Sequence, residues 1–168
     1  SHKTERGWVR LDIRGEEEAR RAFQKIMDET WGEDSGVLVQ EMLRGPRELV
    51  IGLTRDVQFG PCVMFGLGGI FTEVLRDVSF RVAPLERRDA FEMMEEIQGK
   101  KILGPVRGLP EANRERLAHI LISVGQVGVD EERIQEIDMN PVILSGSEPV
   151  TVDALVVLRP QEPESQNV

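Results

Sequence analysis

The sequence predicts an α/β domain of the α+β kind: a mixed sheet with helices packed on one side. Three observations predict it. The apolar period alternates along the chain between two residues, as in strands, and about three and a half, as in helices. Several strand-like runs adjoin across short Gly/Pro/Ser turns, as hairpins do. The composition, 40% hydrophobic and 30% charged over 168 residues, suits one globular domain, or one and a part, and is too apolar for disorder.

Val9, Leu11 and Ile13 alternate with Arg10, Asp12 and Arg14, the pattern of a half-buried strand. Gly15 ends it, and Glu16-Glu17-Glu18 opens a helix with acidic residues at the positive end of its dipole. Ala19, Ala22, Phe23, Ile26 and Met27 form its expected buried stripe. The run 29–36 is expected as a loop, with Trp31 a core anchor. The run 37–42 reads as a strand, 44–47 as a turn, and 48–53 as a second strand, so the two form an expected hairpin. A polar connection over 54–60 leads to the apolar run 62–65 and then to Gly66-Leu67-Gly68-Gly69. Cys62 in that run reads as a small hydrophobe rather than a nucleophile. Arg81 to Pro84 is expected to be extended.

From Glu86 the period becomes helical, with Ala90, Met93, Met94 and Ile97 facing inward and Gly99 as the stop. A basic loop over 100–110 follows, and Pro110 is the expected first-turn residue of the next helix. Leu117, Ile120, Leu121 and Val124 form that helix's stripe, and His119 on it reads as structural. The last structured region is Glu136-Ile137-Asp138-Met139-Asn140-Pro141, an apolar run, a Ser145-Gly146-Ser147 turn, and a second run from Val150 to Val157. The polar, Pro-containing segment 159–168 is expected to be disordered.

Thirty acidic against 21 basic side chains give a net charge of −9, which disfavours broad binding to nucleic acid or anionic membranes. A single cysteine allows no internal disulfide and points to a reducing compartment. No apolar run reaches the length of a membrane span and no signal peptide is visible. A cytoplasmic location is the expectation.

In an extended strand Glu136, Asp138 and Asn140 project to one side, and a hairpin could bring Asp153 back beside Asn140. Oxygen donors gathered in this way suit Mg²⁺, which is held by one or two protein groups plus phosphates. A hairpin whose polar face is merely wet fits the pattern equally well. Gly66, Gly68 and Gly69 could cradle a phosphate with backbone amides or make a tight turn. Lys3, Arg47, Arg81, Lys100, Lys101 and Arg107 could counter phosphate charge, although most surface cations are simply solvated. Glu41 and Glu73 could meet a ribose or a base, or a salt-bridge partner. His2 beside Lys3 could act as an acid, base or phosphate acceptor, or be inert.

Taken together, Ser1-His2-Lys3-Thr4, Val39-Gln40-Glu41-Met42, Gln58 to Pro61, Met64 to Phe71, Glu73-Val74, Arg81 to Leu85, and Glu136 to Pro141 with Val152-Asp153-Ala154 resemble the ATP-grasp β subunit or domain of ADP-forming acyl-CoA synthetases, relatives of succinyl-CoA synthetase. The resemblance implies an ATP-grasp fold, with 1–43 a remnant of the N-terminal lobe and hinge strand, 44–158 the C-terminal lobe and 159–168 a tail. It implies a reaction in which acyl-CoA, ADP and phosphate interconvert with acid, CoA and ATP through an acyl phosphate and a phosphohistidine. His2 would carry phosphate to the nucleotide. Lys3, Glu41, Met42, Gly66, Gly68, Gly69 and Glu73 would surround ATP or ADP, and Asn140, Asp153 and Asp138 would hold Mg²⁺. The CoA site would lie on a partner α subunit or domain, in a hetero-oligomer or a fused chain.

The chain departs from the family pattern at Trp8, Val57 and Leu155. The first part of the nucleotide lobe, with a nucleotide-contacting Lys, would precede Ser1, so turnover by this chain alone is expected to be weak or absent. Two other readings are a ligand-sensing domain like those fused to protein acetyltransferases, and a non-catalytic interaction fragment.

Overall fold

A computed structural model describes residues 8–29, 36–69 and 76–160. The chain divides into two compact units, residues 1–42 and 43–168. In the first, α1 (Glu16–Glu29) forms where the acidic first turn meets the helix dipole, and Arg20–Glu16 and Arg21–Glu17 pair one turn apart along it. None of its residues is buried, and Phe23 of the expected stripe is half exposed. The expected strands over 9–13 and 37–42 are absent. Asp12 sits at φ 60°, a left-handed conformation that interrupts a pleat. Neither run has a neighbouring strand among the described residues to complete a ladder. Trp31 lies outside the described residues.

The second unit carries the sheet. Its strands are β1 (Glu48–Asp56), β2 (Gly60–Leu67), β3 (Val78–Val82), β4 (Ile134–Ser145), β5 (Glu148–Thr151) and β6 (Ala154–Leu158), with α2 (Arg87–Glu96) and α3 (Arg114–Asp130) between β3 and β4. The order is β3-β2-β1-β4-β5, these strands pair antiparallel throughout, and β6 shares β4's outer edge with β5. The expected polar connection at 54–60 is mostly strand. Asp56 Oδ1 accepts from the Gln58 and Phe59 amides, so an Asx turn closes β1 onto β2 in three residues. The next helix does not begin at Pro110: Asn113 caps α3 by accepting from the Arg116 amide, because a side-chain oxygen satisfies an orphan N–H that Pro cannot.

The core lies between one sheet face and the two helices. Leu49, Ile51, Leu53, Val63, Phe65, Val142 and Leu144 face Ala90, Met93, Met94, Leu117 and Leu121, all 2% exposed or less. Each such aliphatic side chain stabilises the fold by roughly 1.5–3 kcal/mol. The stripes read from the sequence for α2 and α3 are buried here except Ile120, which is only partly buried, while His119 is exposed on α3. Within the second unit the opposite face of the sheet carries no helix among the described residues, and it holds the polar row of β4.

Candidate active site

β4 changes parity along its length. Ile137 is buried before Pro141, Val142 and Leu144 after it. Against β1, Ile51 pairs with Met139 and Leu49 with Val142, so Asn140 and Pro141 together oppose the single residue Val50. That is a bulge, which re-aims side chains. It coincides with a cis Asn140–Pro141 bond, and it lets Glu136 and Asp138 stay on the open face while Val142 and Leu144 return to the core.

The long second run read from the sequence is two strands. β5 ends at Thr151 opposite Val142, β6 begins at Ala154 opposite Met139, and the Val152 amide donates to the Pro141 carbonyl at 3.0 Å. By this register Asp153 stands opposite Asn140. Its Oδ1 accepts from the Ala154 amide. Asp138 lies two residues before Asn140 along β4, opposite Gly52 of β1 and Leu155 of β6. Burial first, then the charges of Glu136 and Asp153, push the Asp138 carboxyl above the ordinary range. Three carboxylates therefore crowd one patch of the open face beside an amide oxygen donor. That set fits a hard divalent cation, which would relieve the repulsion that raises Asp138. Asn140 and Asp153 are both exposed. Among the described residues no group of three or more His, Cys, Asp or Glu side chains is placed to hold a metal ion by itself, so phosphate oxygens or water would have to complete the shell.

Next to Asp138 the sheet surface dips into a pocket of about 100 Å³ between Gly52, Thr54, Met64, Phe80, Glu136 and Asp138. Gly52 forms its floor; a Cβ there would sit 3.0 Å from the Ile137 carbonyl and 3.4 Å from Met64 Cε.

The glycine block ends β2. Gly66 and Gly68 have a packing role: a Cβ on Gly66 would lie 2.5 Å from the Asp77 carbonyl, and one on Gly68 2.8 Å from that of Leu49. The Gly68 amide donates to Glu48, so it is engaged within the sheet. Gly69 turns the chain with φ 63°, and a Cβ there would lie 2.7 Å from Glu48 Oε2. Glu48, at the start of β1, thus presents a half-buried carboxylate at the glycine turn, and the sequence reading missed it. The Arg47-Glu48 pair before an apolar run was its only signal, and such a pair is commonplace at a strand start.

Glu41 and Met42 are exposed and close the first unit. His2, Lys3 and Glu73 lie outside the described residues. Of the cations that could counter phosphate, Arg47 is 3% exposed and donates to the Ile102, Gly104 and Gly146 carbonyls. Arg81 pairs with Glu96 and Glu92, and Lys100 with Glu95. Internal partners hold these three, and Lys101 and Arg107 remain exposed. Cys62 is half-buried, its thiol pushed up by burial, which suits a packing role.

Of the segment 159–168, Arg159 is held in place, its amide donating to the Arg133 carbonyl and its Nε to Gln135 Oε1, and 161–168 lie outside the described residues. No helix among the described residues is long and apolar enough to cross a membrane.

Comparison with known proteins adds the following. The ATP-grasp domain family model matches residues 1–158. The β subunit of Pyrococcus furiosus acetate–CoA ligase (ADP-forming) I is 45% identical over 162 residues, covering 94% of this chain and 70% of the subunit. Archaeoglobus fulgidus acetate–CoA ligase (ADP-forming) I is 41% identical over 162 residues, and there the match spans only 24% of a longer chain. Among solved structures, the dinucleotide-forming acetyl-coenzyme A synthetase 1 of Candidatus Korarchaeum cryptofilum superposes with TM-score 0.84 at 45% identity, over 95% of this chain and 71% of that one. It was solved with coenzyme A and Mg-AMPPCP, its phosphohistidine segment pointing towards the nucleotide site.

Proposed function

Because the chain belongs to the ATP-grasp family, in the branch of β subunits of ADP-forming acetate–CoA ligases, we propose that it is the nucleotide- and Mg²⁺-binding part of an ADP-forming acyl-CoA synthetase. The reaction is acyl-CoA + ADP + phosphate = acid + CoA + ATP. The observation that carries this reading is the β4 register, which sets Asp153 opposite Asn140 beside the crowded Asp138.

Phosphoryl transfer needs positioning and charge neutralisation more than covalent machinery. Asn140 and Asp153, with Asp138 beside them, would hold Mg²⁺, which when bound supplies charge for the phosphate oxygens. Glu48 and the turn at Gly69 would face the nucleotide. Glu41 and Met42, in the segment that closes the first unit, would meet the base. His2 would carry the phosphoryl group and Lys3 would counter its charge. A CoA-binding α subunit or domain would complete the enzyme. The β-subunit relative of P. furiosus and the longer A. fulgidus chain, of which the match spans 24%, support that division of labour. A cytoplasmic location is supported by the single cysteine.

Calorimetry of ADP with Mg²⁺ tests the site. Asp153→Ala is expected to cost roughly 1.5–3 kcal/mol, the scale of an interaction with a charged group, or about tenfold to a hundredfold in affinity. Unchanged affinity would remove Asp153 from the metal assignment.

A further inference from the structure

We propose that Arg47 is a positioning residue for the Asn140–Asp153 pair. Its buried guanidinium locks the register of the β4–β5 hairpin, which, continued by the β6 pairing, sets Asp153 opposite Asn140. The functional half of this proposal rests on the metal reading above; the structural half does not.

β5 specifies its own register poorly. It spans four residues, Glu148 to Thr151, and Pro149 has no N–H to give the ladder. A slip of one residue would turn its set of side chains to the other face and carry Asp153 away from Asn140. What holds the hairpin lies at its turn. Gly146 makes the turn at φ 63°, and Arg47 Nη2 donates to the Gly146 carbonyl at 2.5 Å. Arg47 Nη1 reaches the Ile102 and Gly104 carbonyls at 3.2 and 3.4 Å. The Arg47 carbonyl in turn accepts from the Leu144 amide at 3.0 Å. The hairpin turn is thereby stitched to the loop after α2 and to the start of β1.

Arg47 is a costly way to fill space. Its exposure is 3%, and among the described residues its acceptors are backbone carbonyls rather than a carboxylate and Nε has no partner. A buried guanidinium without a counter-ion lowers stability relative to an apolar side chain of similar length. What an apolar side chain cannot do is join three carbonyls from two loops, and a lysine, with a point charge, cannot span them as a planar fork does.

The test compares Arg47→Met and Arg47→Lys with Arg55→Met in the full chain. Arg55 has the same chemistry elsewhere: it donates to the Gly128, Glu131 and Ile134 carbonyls and touches neither the hairpin turn nor the site. Two quantities are read at a temperature where circular dichroism shows each variant folded: hydrogen exchange of the Val152 amide, and the Mg²⁺ midpoint for ADP binding.

Arg47→Met is expected to speed Val152 exchange and to raise the Mg²⁺ midpoint roughly tenfold, the low end for a residue supporting metal ligands. Arg55→Met is expected to lower Tm and leave both readings unchanged. Wild-type Val152 exchange in a folded Arg47→Met would overturn the proposal, whatever its Tm. Should Arg47→Met not fold, Arg47→Lys carries the test: faster exchange supports the lock, and wild-type exchange overturns it. If Asp153→Ala leaves the Mg²⁺ midpoint unchanged, it is the metal reading that fails, and the register lock is then decided by Val152 exchange alone.

Discussion

Burial, Glu136 and Asp153 together make Asp138 harder to ionise in the folded chain than in the unfolded one. Its charge therefore costs stability at neutral pH. That cost fades as pH falls through the raised folded-state value and is gone below the ordinary carboxylate range, where both states hold the proton. Asp138→Asn is expected to melt at a higher temperature than the wild type at neutral pH in metal-free buffer, with the gap closing on acidification. Thermal melts across pH, with and without Mg²⁺, check this; a variant that melts lower at neutral pH without metal would contradict it. Glu96 behaves in the opposite sense, since Arg81 holds its carboxyl below the usual range, so its contribution is lost as pH falls. Comparing variant with wild type isolates Asp138 from it. The acidic row was legible in the sequence because alternation puts Glu136 and Asp138 on one face. The bulge at Asn140–Pro141 was not, because it depends on which β1 residue lies opposite.

At the scale of elements, local chemistry set the ends of α2 and α3 and the hairpin turns, and two substitutions probe how tightly. Asn113→Ala removes the cap of α3 and the bond from Asn113 Nδ2 to Glu148, at an expected cost of about 1 kcal/mol. Gly68→Ala would place a methyl group 2.8–2.9 Å from the backbone of Glu48 and Leu49. That backbone belongs to the central strand and cannot give way, so a loss of roughly 1–3 kcal/mol is expected. Urea denaturation monitored by circular dichroism measures both, and a neutral Gly68→Ala would show that β1 yields where the packing says it should not. The strands expected over 9–13 and 37–42 failed for a related reason. Alternation shows that a run could be pleated, but a strand forms only where a neighbour accepts its hydrogen bonds.

At the scale of the whole molecule, the two units differ in what holds them. The second has a sheet backed by two helices and a continuous core. The first has, among its described residues, one helix with no buried residue, and at 42 residues it lies in the range where a core alone rarely suffices. Residues 43–160 made separately are expected to fold cooperatively, and a peptide of residues 1–42 to be largely unfolded; a cooperative melt of that peptide would refute this. The sequence by itself determined the periodicities of α2 and α3, the hairpin tendency, the acidic row and the family motifs, because each depends on residues close together in the chain. Only the tertiary structure decided which runs became strands, that Asp153 faces Asn140 across the split β5–β6 segment, and that Arg47 is a buried clamp rather than a phosphate ligand. Each depends on which segment lies opposite, and for Arg47 the partners Ile102 and Gly146 are 55 and 99 positions away, a meeting no local pattern records.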